Sequence, residues 1–197
     1  ATFDDNCSSN LTWVMTGATT GSGSGQVGTK TFNIGETTIT YTNTDGASLT
    51  ATDAMTVTVT DNENPTVTAS TDIVTTTSFD STGDCTVSRA IPVATFSDNC
   101  TGSTLTWAMT GAVTASGSGQ VGTYIFPIGV TTITYRATDA ASNTFDASFT
   151  ITVTDNENPT IVGLPANISV NNDSGVCGAT VSWIAPTSAD NCTGSTI

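Results

Sequence analysis

The stretch SFTITVTDNENPT, residues 148–160, decides the fold. Phe149, Ile151 and Val153 alternate with Ser148, Thr150, Thr152 and Thr154, the period-2 pattern of a strand with one buried face. The strand then runs into Asp-Asn-Glu-Asn-Pro, a turn-forming phrase rich in side-chain oxygens. Residues 54–66, AMTVTVTDNENPT, repeat the statement, with Met55, Val57 and Val59 on one face before the same DNENPT. A strand and linker that recur together predict tandem copies of one domain, with a period of about 94 residues.

The repetition extends outward. LTWVMTGATTGSGSGQVGTKTFNIGETTITY at residues 11–41 returns as LTWAMTGAVTASGSGQVGTYIFPIGVTTITY at 105–135. The opening ATFDDNC matches ATFSDNC at 94–100, and DNC returns at 190–192. The expected division is therefore the C-terminal part of a repeat at 1–60, a complete repeat at 61–154, and the N-terminal part of a further repeat at 155–197. A partial repeat cannot bury its own apolar face without a neighbour. The chain is then a window onto a longer array, or its two ends complete one another between molecules.

Within a repeat every periodic stretch is a strand. Leu105, Trp107 and Met109 share one side of LTWAMT, and Ile133 and Tyr135 one side of TTITY. Turn signals such as Gly-Ser-Gly, Asp-Gly and Asp-Asn separate these runs, and no stretch has helical periodicity. About seven short strands in about 94 residues predict an all-β chain of immunoglobulin-like β-sandwiches in an elongated array.

Charge and composition narrow the function. Three basic residues against 17 acidic ones give a net charge of −14, which disfavours nucleic acid and anionic membranes and attracts divalent cations. Thr is roughly a quarter of the chain, as in exposed β-structure and O-glycosylated surface proteins. No apolar run approaches the ~18 residues of a membrane span, and nothing at the start reads as a signal peptide. With no His in the chain, a Ser-His-Asp triad and a His-bearing zinc site are ruled out. GSGSGQVG at 21–28 lacks the Lys-Ser/Thr ending of a phosphate loop and reads as a mobile hairpin loop. Lys30 is replaced by Tyr124 in the second copy, so no catalytic lysine recurs. Trp13 and Trp107, at alternating strand positions, read as core rather than sugar platforms. Sequons at Asn10, Asn167 and Asn172 are glycosylation candidates, whereas those at Asn6, Asn99 and Asn191 lie inside DNC and are less accessible.

Cys85 and Cys100 lie 15 residues apart, as do Cys177 and Cys192, and Cys7 matches Cys100 with its partner expected upstream of residue 1. The spacing predicts two disulfides, Cys85–Cys100 and Cys177–Cys192, in an oxidising compartment. A loop of that size closed by a disulfide contributes roughly 3 kcal/mol. Metal binding by these thiols is the rival reading, with neither CxxC nor His to support it.

The segments CTVSRAIPVATFSDNC and CGATVSWIAPTSADNC, the IGETTITY and IGVTTITY stretches, TDAASN and VTVTDNENPT together resemble the hyalin repeat (HYR) domain. The resemblance covers essentially the whole chain, in fixed motif order. It implies extracellular, immunoglobulin-like modules in adhesive or surface proteins, and no catalytic site. DNENP is also similar to the calcium-binding junction of cadherins, which implies a site between successive domains.

Physical argument points the same way. The last strand delivers DNEN to one end of a sandwich, facing the loops that open the next. Asp61, Asn62, Glu63 and Asn64 are expected to meet Asp98 and Asn99 of the DNC loop and Asp139 and Asn143 of TDAASN. Asp155, Asn156, Glu157 and Asn158 are expected to meet Asp190, with the site completed only in part within residue 197. Asp5 and Asp45 are the counterparts in the first repeat, where Leu49 stands in place of Asn143 and removes one oxygen. Calcium takes six to eight oxygens in flexible geometry, whereas magnesium demands a tighter octahedron. Two carboxylates about 4 Å apart repel by about 4 kcal/mol at an effective dielectric near 20, so such a junction asks for a cation. The alternative is an ordinary turn whose side chains cap backbone groups.

Three classes of function follow. The leading expectation is a structural or adhesive fibre, self-associating along and between arrays and rigidified by Ca2+. The second is a glycan- or cell-binding module of a larger surface protein or secreted enzyme. An enzyme in its own right is the least supported, since the carboxylates cluster at junctions rather than in a cleft.

Overall fold

The computed structural model describes residues 8–192 and divides the chain into two compact units, Ala1–Glu63 and Asn64–Ile197. Asp5, Asn6 and Cys7 lie outside the described residues. Among the described residues no α-helix occurs; a single 3-10 turn at Thr77–Asp80 interrupts an otherwise all-β chain. The fold is an immunoglobulin-like β-sandwich.

In the first unit, β1 (Ser9–Gly17), β2 (Gly21–Ser24), β3 (Gly35–Asp45) and β4 (Thr50–Val59) form one antiparallel sheet in the order β2-β1-β3-β4. Leu11, Met15 and Ile39 are buried on it. Met55 on β4 is 52% exposed, and Val57 and Val59 are only half-buried.

The second unit holds most of the described strands. Its strands are β5 (Thr66–Thr68), β6 (Ile73–Thr76), β7 (Thr86–Ala90), β8 (Thr95–Ser97), β9 (Thr104–Gly111), β10 (Ala115–Ser118), β11 (Thr123–Pro127), β12 (Gly129–Thr138) and β13 (Thr144–Thr154). A five-stranded sheet, β10-β9-β12-β13-β6, packs against the short ladders β11-β7 and β5-β8. β6 joins β13 in parallel, with Ile73 opposite Ile151 and Thr75 opposite Val153. Alternation places Leu105, Met109, Ile133, Tyr135, Phe149, Ile151 and Val153 inward, where Val67, Val87, Ile91 and Ala94 close over them. Threonines occupy much of the outward register.

The glycine-rich stretch is not the mobile loop its composition suggests. Residues 21–24 and 115–118 are the strands β2 and β10, paired with β1 and β9. The reason is the indole on the neighbouring strand. A Cβ on Gly117 would lie 2.6 Å from the Trp107 ring, and one on Gly23 the same distance from Trp13, so only glycine admits the tryptophan. Trp107 is half-buried there, edge-on to Tyr124 at 6.4 Å between ring centroids.

Beyond β13 a short ladder resembles the β5–β8 pair. β14 (Thr160–Val162) pairs with β15 (Thr187–Ala189) in the register that β5 keeps with β8. Residues 163–186 between them form no ladder, and almost all are exposed.

Candidate metal site at the repeat junction

The end of β13 delivers Asp155 to the edge of the second unit. Its Oδ1 accepts the Glu157 amide at 3.0 Å and the Thr77 hydroxyl at 3.4 Å. Asn156 Oδ1 accepts the Ser78 hydroxyl at 2.9 Å, fixing the linker to the 3-10 turn. The DNC loop after β15 meets this linker: Asn191 Nδ2 donates to the Glu157 carboxylate and to the Asp84 carbonyl. Asp190 Oδ1 accepts the Cys192 amide at 2.9 Å. A carboxylate oxygen of Asp155, one of Asp190 and the Cys192 sulfur all lie within 4.8 Å of one another. Asn158 and Thr160 line the shallow groove beside them. Asp155 of the second linker and Asp190 of the following DNC loop thus lie near one another.

The cysteine pairing differs from the expectation. Cys85 is bonded to Cys192, 107 residues away, with Cα atoms 5.0 Å apart. Neither 15-residue bridge, Cys85–Cys100 or Cys177–Cys192, forms. The cause is topological. Thr104 and Thr138 pair at one end of the main sheet, next to Cys100, whereas Cys85 lies at the other end, where Asp155 leaves β13. The extended run through β7 and β8 carries the two cysteines to opposite ends of the sandwich, and spacing in sequence cannot register that. Cys177 is an exposed thiol in the stretch without a ladder.

At the far end of the second unit, Asp98 Oδ2 accepts the Cys100 amide at 3.0 Å. Asp139 organises the β12–β13 turn, accepting the Asn143 amide at 2.7 Å and the Asn143 side chain at 2.8 Å. Burial pushes the Asp139 carboxyl up. The Asn143 side chain and the backbone amides of Asn143, Ala141 and Ser142 outweigh that and hold it below the ordinary aspartate value. Asp45 plays the same part in the first unit, accepting the amides of Ala47 and Leu49 at 2.8 and 2.9 Å. Leu49 is exposed and contributes only its backbone, so replacing Asn143 leaves the turn intact. Asn99 is exposed in the DNC loop.

Asp61, Asn62 and Glu63 close the first unit and Asn64 opens the second. Asp61 Oδ1 accepts the Glu63 amide at 3.2 Å, the same turn as Asp155 and Glu157. Among the glycosylation candidates, Asn10 is exposed on β1 and Asn167 is exposed beyond β14. Asn172 is also exposed, with its amide donating to the Val176 carbonyl at 2.9 Å.

Sequence reasoning missed the loop between β6 and β7. Asp80 accepts the Ser88 amide at 2.6 Å and the Thr82 hydroxyl, and Asp84 accepts the Thr86 hydroxyl and amide at 2.8 Å. These hydrogen bonds hold both carboxyls below the ordinary value. The signal available was FDSTGDC beside Cys85, but nothing in that phrase says it lies against the next repeat.

The donors at the junction suit a hard cation. With the Cys192 sulfur already bonded to Cys85, the remaining candidates are carboxylate and amide oxygens. Each described DNC loop also buries one acceptor with no hydrogen-bond partner, Asp98 Oδ1 and Asn191 Oδ1. A buried acceptor without a donor is costly unless something positive faces it.

No family model matches the chain, and no curated protein matches it. Among solved structures, "Protocadherin gammaB7 EC3-6 cis-dimer structure" is similar over 81% of this chain at 14% identity and a TM-score of 0.37. "Protocadherin Gamma B2 extracellular cadherin domains 3-6" is similar over 79% at 15% identity and a TM-score of 0.33. The chain spans 44% and 43% of the length of those two structures.

Proposed function

We propose that this chain is an extracellular structural or adhesive repeat protein of the hyalin-repeat type, without enzymatic activity, whose domain junctions are rigidified by calcium. The observation that carries the reading is the approach of the Asp155 and Asp190 carboxylates at a repeat boundary. Asp155 and Glu157 of the linker, with Asp190 and Asn191 of the DNC loop, would hold the ion. Calcium would supply charge neutralisation there, replacing repulsion between carboxylates with shared coordination. The buried Asn191 Oδ1 supports the assignment, since it is an oxygen in search of a positive partner.

An extracellular location is supported by the Cys85–Cys192 bond, since disulfides persist in oxidising compartments. Among the described residues no helix is long and apolar enough to cross a membrane. The glycan-binding alternative draws nothing from Trp13 and Trp107, which pack half-buried against glycines of their own hairpins.

Extracellular modules bind calcium at about 0.1–1 mM, and at ten times the dissociation constant binding stabilises a junction by roughly 1.4 kcal/mol. The test is a calcium titration of the melting temperature together with end-to-end distance by small-angle scattering. Chelation that altered neither would sink the calcium reading.

A further inference from the structure

The outward face of the five-stranded sheet is as regular as the core behind it. Ile133, Tyr135 and Ala137 point inward, so the residues between them on β12 point out, and the register lines these up across the sheet. Thr132 lies between Thr150 and Thr110, Thr134 between Ser148 and Ala108, and Thr138 between Thr144 and Thr104. At one end of this grid Val130 and Val74 flank Thr152 and are 50% and 76% exposed. The first unit repeats the central row, with Thr38 between Thr56 and Thr16.

Charge sets this face apart. In a chain of net charge −14, Asp80, Asp84, Asp98 and Asp139 sit in loops and turns, off the grid. Asp146 is on it and is neutralised: Arg136, opposite on β12, donates Nε and Nη2 to its two oxygens at 2.8 Å each. Both side chains still face water, 57% and 42% exposed. A second copy of the chain, repelled elsewhere by like charge, meets no net charge here. A cation beside an anion is also self-complementary. A two-fold axis running along the strands between β12 and β13 sets Arg136 of one copy over Asp146 of the other, and the reverse. The same rotation sets Thr134 over Ser148, Thr132 over Thr150 and Val130 over Thr152.

We propose that the chain forms a two-fold dimer through this face, the two sheets packing face to face with strands within about 30° of one another. The proposal rests on the reading of the chain as a self-associating structural repeat protein and names its lateral surface. Strands about 4.8 Å apart, rising about 3.4 Å per residue, make the face roughly 20 Å on a side. Two copies then bury on the order of 1,000 Å² in total, at the weak end of specific interfaces. Threonine methyls and the exposed valines supply apolar contact, and the four charges alternate in sign around the axis.

The test is sedimentation of the full 197-residue chain in chelator across a concentration series. The wild type should shift from 19.9 kDa to twice that mass as concentration rises. Arg136→Asp puts two carboxylates on each face and Asp146→Arg two guanidiniums. Like charges then meet across the axis, so each variant alone should associate at least about tenfold more weakly. An equal mixture of the two should dimerise again, and the double exchange should behave as the wild type. Thr134→Glu should also remain monomeric while keeping a cooperative melt. A wild type that is monomeric at all concentrations overturns the proposal. So do single variants that dimerise like the wild type, or a mixture of them that stays monomeric. Mass gained only on adding a cello-oligosaccharide would overturn it in favour of a glycan. A dimer in chelator, with no calcium effect on stability, would sink the calcium reading alone. A monomer stabilised by calcium would sink the dimer alone.

Discussion

Cys85 and Cys192 are joined across a repeat boundary, tying the loop after β6 of one repeat to the DNC loop of the next. A bond so placed fastens the linker between them as well as the two loops. In the chain-entropy model, a loop of about 100 residues closed by a disulfide is worth about 4–5 kcal/mol. Cys85→Ser is expected to lower the unfolding free energy of the second unit by up to that amount in denaturant titrations. Non-reducing peptide mapping decides the pairing directly, and recovery of a fragment linking Cys85 to Cys100 would refute it.

The carboxylates beside that bond should reverse their effect with calcium. Asp155→Asn or Asp190→Asn removes half of a repelling pair, so without calcium each should leave stability unchanged or slightly raised. With calcium in excess each should lower it, by up to the roughly 1.4 kcal/mol that tenfold saturation supplies. Melting temperatures in chelator and in millimolar calcium check this. Parallel losses in both conditions would show the side chains acting only as turn caps.

Gly117 should resist substitution by even one methyl group. Its Cβ would meet the Trp107 ring at 2.6 Å, and overpacking of this kind costs about 1–3 kcal/mol. Gly117→Ala should therefore destabilise the second unit, and Gly23→Ala the first. Gly119, where a Cβ meets nothing within 4 Å, tests whether space or backbone matters. Its left-handed backbone predicts a smaller loss at Gly119→Ala, without the indole fluorescence change expected at Gly117. Equal responses at both positions would contradict the packing argument.

Asp139 should make the β12–β13 turn sensitive to acid. Its folded carboxyl titrates below the ordinary value, through the hydrogen bonds that overcome burial. Its stabilising contribution is therefore complete above about pH 4 and lost as the pH falls through the folded value. Exchange of the Asn143 amide should accelerate, beyond its intrinsic pH dependence, only below that point. Asp139→Asn should abolish the extra acceleration, and an amide protected equally at pH 3 and pH 6 would count against the assignment.

Much of this was legible in the sequence. The alternation at Phe149, Ile151 and Val153 gave the buried face residue by residue, because a strand's side-chain period is fixed by its backbone. DNENP and DNC were legible as phrases at strand ends, and Asp155 and Asp190 within them lie near one another. What could not be read were features that depend on which strands become neighbours. Cys85 and Cys100 looked paired because they are close in sequence, yet they lie at opposite ends of a sandwich. Gly21–Ser24 looked like a loop because glycine disfavours strands, and its reason for being one is an indole on the adjacent strand. Asp80 and Asp84 gave no periodic signal at all.

The parallel pairing of β6 with β13 has a mechanical consequence. β6 lies near the start of the repeat and β13 at its end, inside the loop that the Cys85–Cys192 bond closes. The intact bond carries tension past β13, and only after its reduction does pulling on the chain drive the two strands in opposite directions along their common axis. The hydrogen bonds between Ile73–Thr76 and Ile151–Thr154 are then loaded together in shear, instead of being peeled apart singly. A repeat built this way acts as a latch against stretching, and its resistance to force is set by four residues on each side rather than by the size of its core.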